Sequence, residues 1–237
     1  MICICLPTYN ERENVEPMVD RLGEILGADG VVLVIDDNSP DGTGEIADRL
    51  AAERERVDVL HRPSKEGLGP AYLDGFRRAL ELGADLIFEM DCDFSHDPAD
   101  VPRLVDAAGG ADLVIGSRYV PGGGTQNWGR LRRLISRGGS LYAQLLLGVP
   151  IRDLTGGFKC YRRKVLETIE LGAIDSKGYA FQIETTYRTL RAGFRVVEVP
   201  IVFVDREVGG SKMSKAIVWE AVWKVPALRL ATLRARA

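Results

Sequence analysis

Short apolar runs alternate with stretches whose apolar residues recur at helical spacing through the first half of the chain. Residues 2–6, 31–35, 57–60, 86–90 and 113–115 predict buried strands, and 15–26, 44–52 and 71–82 predict amphipathic helices. Such alternation predicts an α/β protein whose mostly parallel central sheet is flanked by helices on both faces. In sheets of this kind ligands bind beyond the carboxyl ends of the strands. Later, 127–148 predicts a helix with Arg130, Arg133 and Arg137 on one side and Leu131, Leu134, Ile135, Leu141 and Leu145 on another. Tyr179 opens a further helix, 196–204 predicts a strand, and 216–237 predicts a helix kinked at Pro226.

Polar residues gather where the strands stop. The first run ends in Pro7-Thr8-Tyr9-Asn10-Glu11 and the second in Asp36-Asp37-Asn38-Ser39, each ahead of a helix whose amino end suits an anion. Asp36 is positioned to accept from a base or a ribose hydroxyl; Asn10, Asn38 and Asp41 also suit turns and caps. The run at 86–90 leads into Asp91-Cys92-Asp93-Phe94-Ser95-His96-Asp97-Pro98. Two carboxylates one residue apart suit Mg²⁺, which takes one or two protein carboxylates and completes its shell with water and substrate phosphates. The same turn also reads as a solvated loop in which Asp97 caps the next helix. Arg118 ends a further strand, over a phosphate or sugar or in a surface salt bridge. Asp153, Gln182 and Glu184 are candidates to hold sugar hydroxyls, or Asp153 pairs with a nearby Arg. Arg206 and Lys212 lie on a glycine-hinged loop able to fold over phosphates.

Charge sharpens the division. The 237 residues carry a net charge of −3, yet from Trp128 to Lys164 nine Lys or Arg face the single acid Asp153. The second half is basic and the first acidic, and the arginines of 127–148 have no acids at i+4, so an external polyanion or anionic membrane is expected there. No GxGxxG follows the first strand and no Walker loop is present, which disfavours dinucleotide and P-loop sites. Cys3, Cys5, Cys92 and Cys160 show no CxxC spacing and read as buried thiols of a reducing compartment. No signal peptide or transmembrane run of about 18 apolar residues is evident. The basic 216–237 segment, with Trp219 and Trp223, suits a membrane interface or packs on the core.

The ordered motifs Pro7-Thr8-Tyr9-Asn10-Glu11, Asp36-Asp37-Asn38-Ser39, Asp91-Cys92-Asp93 and Gly116-Ser117-Arg118-Tyr119 resemble those of inverting family 2 glycosyltransferases with the GT-A fold. Trp128 with Arg132, Ile135-Ser136-Arg137-Gly138, Asp153 to Phe158, Phe181 to Glu184, and Arg206 with Gly210-Ser211-Lys212-Met213-Ser214 are similar to polyprenol-phosphate mannose synthases. The resemblance implies mannosyl transfer from GDP-mannose to a polyprenyl (dolichyl) monophosphate, using Mg²⁺ or Mn²⁺. A UDP-glucose-dependent polyprenyl-phosphate glucosyltransferase and a non-catalytic nucleotide-sugar scaffold are the alternatives.

By the same resemblance Pro7, Tyr9, Glu11, Asp36 and Asp37 hold the guanosine part. Asp91 and Asp93 bind the metal, with Cys92 and Ser95 on the same donor-side turn. Arg118 faces the reacting phosphates or the mannose, and Arg132, Ser136, Arg206 and Lys212, supported by Arg133, bind the lipid phosphate. Asp93, Arg118, Arg132 and Arg206 carry the catalytic step. The implied organisation is one GT-A domain with a nucleotide-sugar and metal half (1–127), an acceptor half (128–215) and a C-terminal amphipathic helix (216–237). Expected partners are a membrane surface and a separate membrane-anchoring subunit, with no nucleic acid, and the expected place is cytoplasmic, peripheral at the inner face of the membrane. Cys92 stands where the family usually has Ala, and the C-terminal transmembrane segments of many members are lacking.

Overall fold

The structure, a computed structural model, describes residues 1–205 and 215–234. Its strands are β1 (Ile2–Thr8), β2 (Gly30–Asp36), β3 (Val57–His61), β4 (Leu86–Glu89), β5 (Leu113–Ser117), β6 (Gly124–Gln126), β7 (Lys159–Arg162), β8 (Val196–Pro200) and β9 (Val202–Val204). Its α-helices are α1 (Val15–Leu26), α2 (Thr43–Glu53), α3 (Leu68–Glu81), α4 (Val101–Ala108), α5 (Arg130–Leu147), α6 (Arg163–Thr168), α7 (Tyr179–Arg191) and α8 (Lys215–Arg234).

Seven strands form one sheet in the order β3-β2-β1-β4-β7-β5-β8, and β6 pairs with β9 apart from it. All neighbours in the large sheet run parallel except at β7, which is antiparallel to both β4 and β5. The mostly parallel α/β sheet expected from the apolar pattern is therefore present. Its strands from the first half point their carboxyl ends to one edge, where the polar turns lie.

Alternation within the strands builds two cores. Cys3, Cys5, Leu33, Ile35 and Ile87 face α3, α6 and α7 through Tyr72, Phe76, Leu166 and Phe181. Ile4, Leu6, Val32, Val34 and Phe88 face the other way, onto Met18, Leu22, Leu50 and Leu104 of α1, α2 and α4. This is the period of two expected of strands covered on both faces. A Cβ at Gly75 of α3 would sit 2.3 Å from Ile35 Cδ1, so glycine lets that helix approach β2 closely.

The stretch 196–204 is not one strand. Pro200 closes β8 opposite Ser117 at the sheet edge, and proline has no N–H to continue a ladder. Ile201 is buried, and the chain then leaves the large sheet to pair as β9 with β6. The helix expected near the C-terminus is present as α8, with Pro226 inside it. It packs against α5: Tyr142 Oη donates to the Val222 carbonyl at 2.9 Å, Arg229 Nη1 donates to the Leu147 carbonyl at 3.2 Å, and Val225 is fully buried.

Two opposite charges face each other in the middle of the sheet, within electrostatic reach but with no direct salt bridge between them. Glu89 on β4 and Lys159 on β7 are both fully buried neighbours across the antiparallel ladder. Lys159 Nζ donates to the Gln182 carbonyl at 2.8 Å and to Thr185 Oγ1 at 3.1 Å, and Tyr161 Oη donates to Glu89 Oε1 at 2.8 Å. Burial pushes Lys159 down to about 8 against the pull of Glu89, and pushes Glu89 up. A Lys159→Met variant should lose roughly 3–5 kcal/mol of stability by leaving Glu89 buried without its counter-charge. Adding Glu89→Gln should recover much of it, and urea unfolding of both single variants and the double variant checks this; purely additive losses would show that the two charges do not act as a pair.

Candidate active site

The carboxyl ends of β1, β2, β4 and β5 open into one cavity of about 640 Å³. From β1 come Pro7, Thr8, Tyr9 and Glu11, and from the end of β2 comes Asp37. The turn after β4 contributes Asp91, Cys92, Asp93, Ser95 and His96. Arg118 follows β5, Trp128 and Arg132 stand at the start of α5, and Phe203 and Asp205 arrive from β9.

The acidic turn is held in a tight shape. Phe94 adopts φ +58°, left-handed and uncommon for a bulky residue, and Ser95 N donates to Asp93 Oδ1 at 3.0 Å. Asp91 N donates to His96 Nδ1 at 3.3 Å. His96 is in turn fixed by stacking on Phe158 and by the edge of Phe203, at 5.1 and 5.2 Å between ring centres. Asp97, as expected, accepts from Ala99 N at 2.9 Å and caps the next turn.

Asp91 and Asp93 thus present hard oxygen donors at the cavity wall. Among the described residues no group of three or more His, Cys, Asp or Glu forms a fuller protein shell. Such a donor set fits Mg²⁺ or Mn²⁺ completed by water and phosphate oxygens.

The opposite wall is cationic and aromatic. Arg118 is 7% exposed; its Nε and Nη2 each donate to the Asp153 carboxylate at 2.7 Å, and Nη2 also donates to Thr155 Oγ1 at 2.9 Å. The backbone N of Arg118 donates to the same carboxylate at 2.9 Å. Burial alone would drive Arg118 towards neutrality and Asp153 towards protonation, but their mutual attraction outweighs it, raising Arg118 and lowering Asp153. Nη1 is the one guanidinium nitrogen of Arg118 with no hydrogen bond among the described residues. Arg132 lies 4.3 Å over the Trp128 ring, and its Nη1 donates to both oxygens of Asp205 at 2.8 and 2.7 Å.

Two buried polar atoms on this cavity lack a hydrogen bond among the described residues: Trp128 Nε1 and Ser95 Oγ. Buried polar groups are nearly always paired, so their arrangement suits a polar ligand that supplies the partners.

The structure brings Pro7, Tyr9, Glu11, Asp37, Asp91, Cys92, Asp93, Ser95, Arg118, Arg132 and Gln182 to this one cavity. Other candidates lie elsewhere. Asp36 turns into its own loop, accepting from Ser39 N at 3.2 Å and Ser39 Oγ at 2.5 Å, and does not line the cavity. Asp153 is fully buried behind Arg118, orients that arginine and does not line the cavity. Glu184 is likewise buried, accepting from Ser176 Oγ and, at 2.8 Å, from Arg188 Nε. Ser136 accepts from Tyr119 Oη at 2.7 Å and faces a small side slot, while Arg133 donates to the Trp128 carbonyl at 3.3 Å on the outer side of α5. Arg206 and Lys212 lie outside the described residues.

Residues not singled out from sequence also line the cavity. Lys65 places Nζ 3.9 Å over the Tyr9 ring, and Glu66 beside it pairs at 3.2 Å with Arg62, which also holds Asp37. Burial raises Asp37 although Arg62 opposes it. Nothing in the sequence around Lys65 separates it from an ordinary exposed loop; the fold places it.

A family model described as glycosyl transferase family 2 matches residues 3–170. An undecaprenyl-phosphate mannosyltransferase of Micrococcus luteus is 53% identical over 235 residues, covering 98% of this chain and 96% of that protein. A polyprenol monophosphomannose synthase of Mycolicibacterium smegmatis is 53% identical over 224 residues, covering 94% and 84%. Among solved structures, glucosyl-3-phosphoglycerate synthase of Mycobacterium tuberculosis with phosphoglyceric acid superposes with a TM-score of 0.72 at 21% identity, covering 96% of this chain and 79% of that one. The same synthase with Mn²⁺, UDP and glucosyl-3-phosphoglycerate gives 0.67 at 21% identity, covering 100% and 79%. At that identity the likeness speaks to the fold.

An Asp153→Asn variant should lose roughly 3–5 kcal/mol at pH 7, because Arg118 is left buried without its counter-charge. The Asp153 carboxylate is lowered in the fold, so its contribution is fully present above the ordinary carboxylate range and is lost as pH falls through the lowered folded value. Chemical unfolding of the two proteins should therefore show a gap that narrows in strong acid; a gap unchanged between pH 7 and pH 2 would contradict the assignment.

Proposed function

We propose a function for a chain that belongs to glycosyl transferase family 2 and has the GT-A fold: it transfers mannose from GDP-mannose to a polyprenyl monophosphate, with inversion at the anomeric carbon. The observation that carries this reading is the placement of two carboxylates and an arginine–tryptophan wall across a single cavity at the strand ends. The family assignment makes the chain a glycosyltransferase, and the two relatives named for mannosyl transfer and polyprenyl phosphate support the choice of sugar and acceptor.

The roles follow from charge. Tyr9, Glu11 and Asp37 hold the nucleoside end of the donor, and Asp91 and Asp93 would hold Mg²⁺ or Mn²⁺ on the side of its diphosphate. The cation, when bound there, neutralises charge gathering on the departing nucleoside diphosphate. Arg118, fixed in direction by Asp153, and Arg132, stacked on Trp128, hold the acceptor phosphate near the anomeric carbon, with Trp128 Nε1 a further donor. The acceptor oxygen is already anionic at neutral pH, so no group has to remove a proton from it. Gln182, on the cavity wall, suits the sugar hydroxyls.

Among the described residues no helix is long and apolar enough to cross a membrane. We place the enzyme at a membrane surface on the cytoplasmic side, where a separate membrane subunit is free to dock.

Incubation of the purified chain with a short polyprenyl phosphate, Mg²⁺ or Mn²⁺, and labelled GDP-mannose or UDP-glucose tests the donor and the acceptor together. Label should enter the lipid from GDP-mannose; entry only from UDP-glucose would overturn the donor assignment. Asp91→Asn and Asp93→Asn should each lower turnover by about 100-fold or more, the scale seen when charge stabilisation of a leaving group is removed.

A further inference from the structure

The buried charges at the centre of the sheet reach the cavity through one residue. Gln182, in the first turn of α7, lines the cavity while only 2% exposed. It is held from beneath at both its main chain and its side chain. Its carbonyl accepts from Lys159 Nζ at 2.8 Å and from Thr186 Oγ1 at 3.0 Å, and its carboxamide hydrogen-bonds to the Glu89 carboxylate. Tyr161 Oη donates to Glu89 Oε1 at 2.8 Å, which leaves Oε2 for Gln182. Glu89, Lys159, Tyr161 and Thr185 are all fully buried, and none of them lines the cavity. Buried opposite charges add little stability over well-packed apolar side chains, so stability alone does not account for them.

We propose that Glu89 is a positioning residue for the transfer reaction: it fixes the Gln182 carboxamide with Nε2 on the carboxylate and Oε1 towards the cavity, as an acceptor for a hydroxyl of the transferred sugar. A carboxylate can only accept, and of the two orientations of a carboxamide only one sets an N–H against it. The polarity that Gln182 shows to a ligand is therefore set from inside the sheet. An acceptor at this place suits a hydroxyl and disfavours a phosphate oxygen, which brings no proton. Gln182 thus separates the sugar from the phosphates drawn by Arg118 and Arg132. Lys159 serves the same end, tying down the Gln182 carbonyl and supplying the counter-charge that makes a carboxylate tolerable in the sheet. The sugar as ligand rests on the function proposed above; the orientation of Gln182 does not.

Two measurements on the full chain test this. In Glu89→Gln the new amide keeps its oxygen on Tyr161 and turns its N–H to Gln182, which must flip and send Nε2 towards the cavity. With no ligand present, isotope-edited NMR should therefore show the Gln182 Nε2 protons exchanging with solvent about ten-fold faster, or more, in Glu89→Gln than in the wild type. In Mg²⁺, the affinity for GDP-mannose relative to that for GDP should fall about ten-fold in Glu89→Gln and in Gln182→Glu, the scale of one hydrogen bond, while GDP alone binds as it does to the wild type. The exchanged pair Glu89→Gln/Gln182→Glu should recover most of the wild-type ratio, because the new amide donates to the new carboxylate and leaves that carboxylate a second oxygen for the sugar. If Glu89→Gln does not fold, Glu89→Gln/Lys159→Met, which removes both charges, takes its place. Losses that add up in the exchanged pair overturn the proposal, as does exchange at Gln182 unchanged by Glu89→Gln. A wild type that protects those protons yet binds GDP and not GDP-mannose would count against the proposed function and leave the orientation of Gln182 standing.

Discussion

The site depends on a buried charge that is not allowed to move. Arg118 is taken out of water beside the cavity, where an isolated guanidinium would be prohibitively costly. Asp153 compensates it through three hydrogen bonds, two to the guanidinium and one to the backbone N. Asp153 is itself set by β8: the Glu198 carboxylate accepts from the backbone N of Arg152 and of Asp153, each at 2.9 Å. One edge strand, one turn and the end of β5 are thus bound together, and the cationic wall has one orientation. With its direction fixed in advance, Arg118 spends no reorganisation on meeting a phosphate, the condition under which electrostatic stabilisation is strongest.

Across the cavity the problem is inverted. Two carboxylates on a turn strained at Phe94 repel any phosphate unless a cation joins them, while Arg132 and Trp128 attract one directly. Two anionic groups repel each other as well, and a cavity with one metal-suited wall and one cationic wall is fitted to hold such a pair. The chemistry then needs position and charge more than a proton acceptor, which agrees with His96 being enclosed by Phe158 and Phe203 and used as an acceptor from the Asp91 backbone.

The sheet was legible because β1, β2, β4 and β5 are nearly continuous apolar runs separated by helical periodicity, the mark of strands buried on both faces. β7 was not, because Lys159 and Arg162 interrupt its short run; the Gln182 carbonyl and Thr185 hydroxyl that accept from Lys159, with the charge of Glu89 across the ladder, explain a lysine in the middle of a sheet. The strand-end acids and arginines were readable as chemistry, but not which of a pair faces the ligand. Asp36 and Asp37 are adjacent, yet the pleat sends Asp36 into its own turn and leaves Asp37 on the cavity. Asp153 and Glu184 look like binding residues in sequence because they are polar among apolar neighbours; their roles as supports depend on partners that the fold supplies, distant Arg118 for one and nearby Ser176 for the other. The leucines of α5 were visible as a stripe, and their exposure is a property of what α8 leaves uncovered.

The central claim is that position and charge suffice because the nucleophile arrives without a proton to lose. It is tested most directly by the single-turnover rate of mannosyl transfer from GDP-mannose to a short polyprenyl phosphate, measured against pH with both substrates saturating. A phosphate monoester loses its second proton near pH ~6, so the rate should be flat from about pH 7 to pH 9. A rate that keeps rising ten-fold per pH unit through that range would reveal a group that must lose its proton first, and would contradict the account.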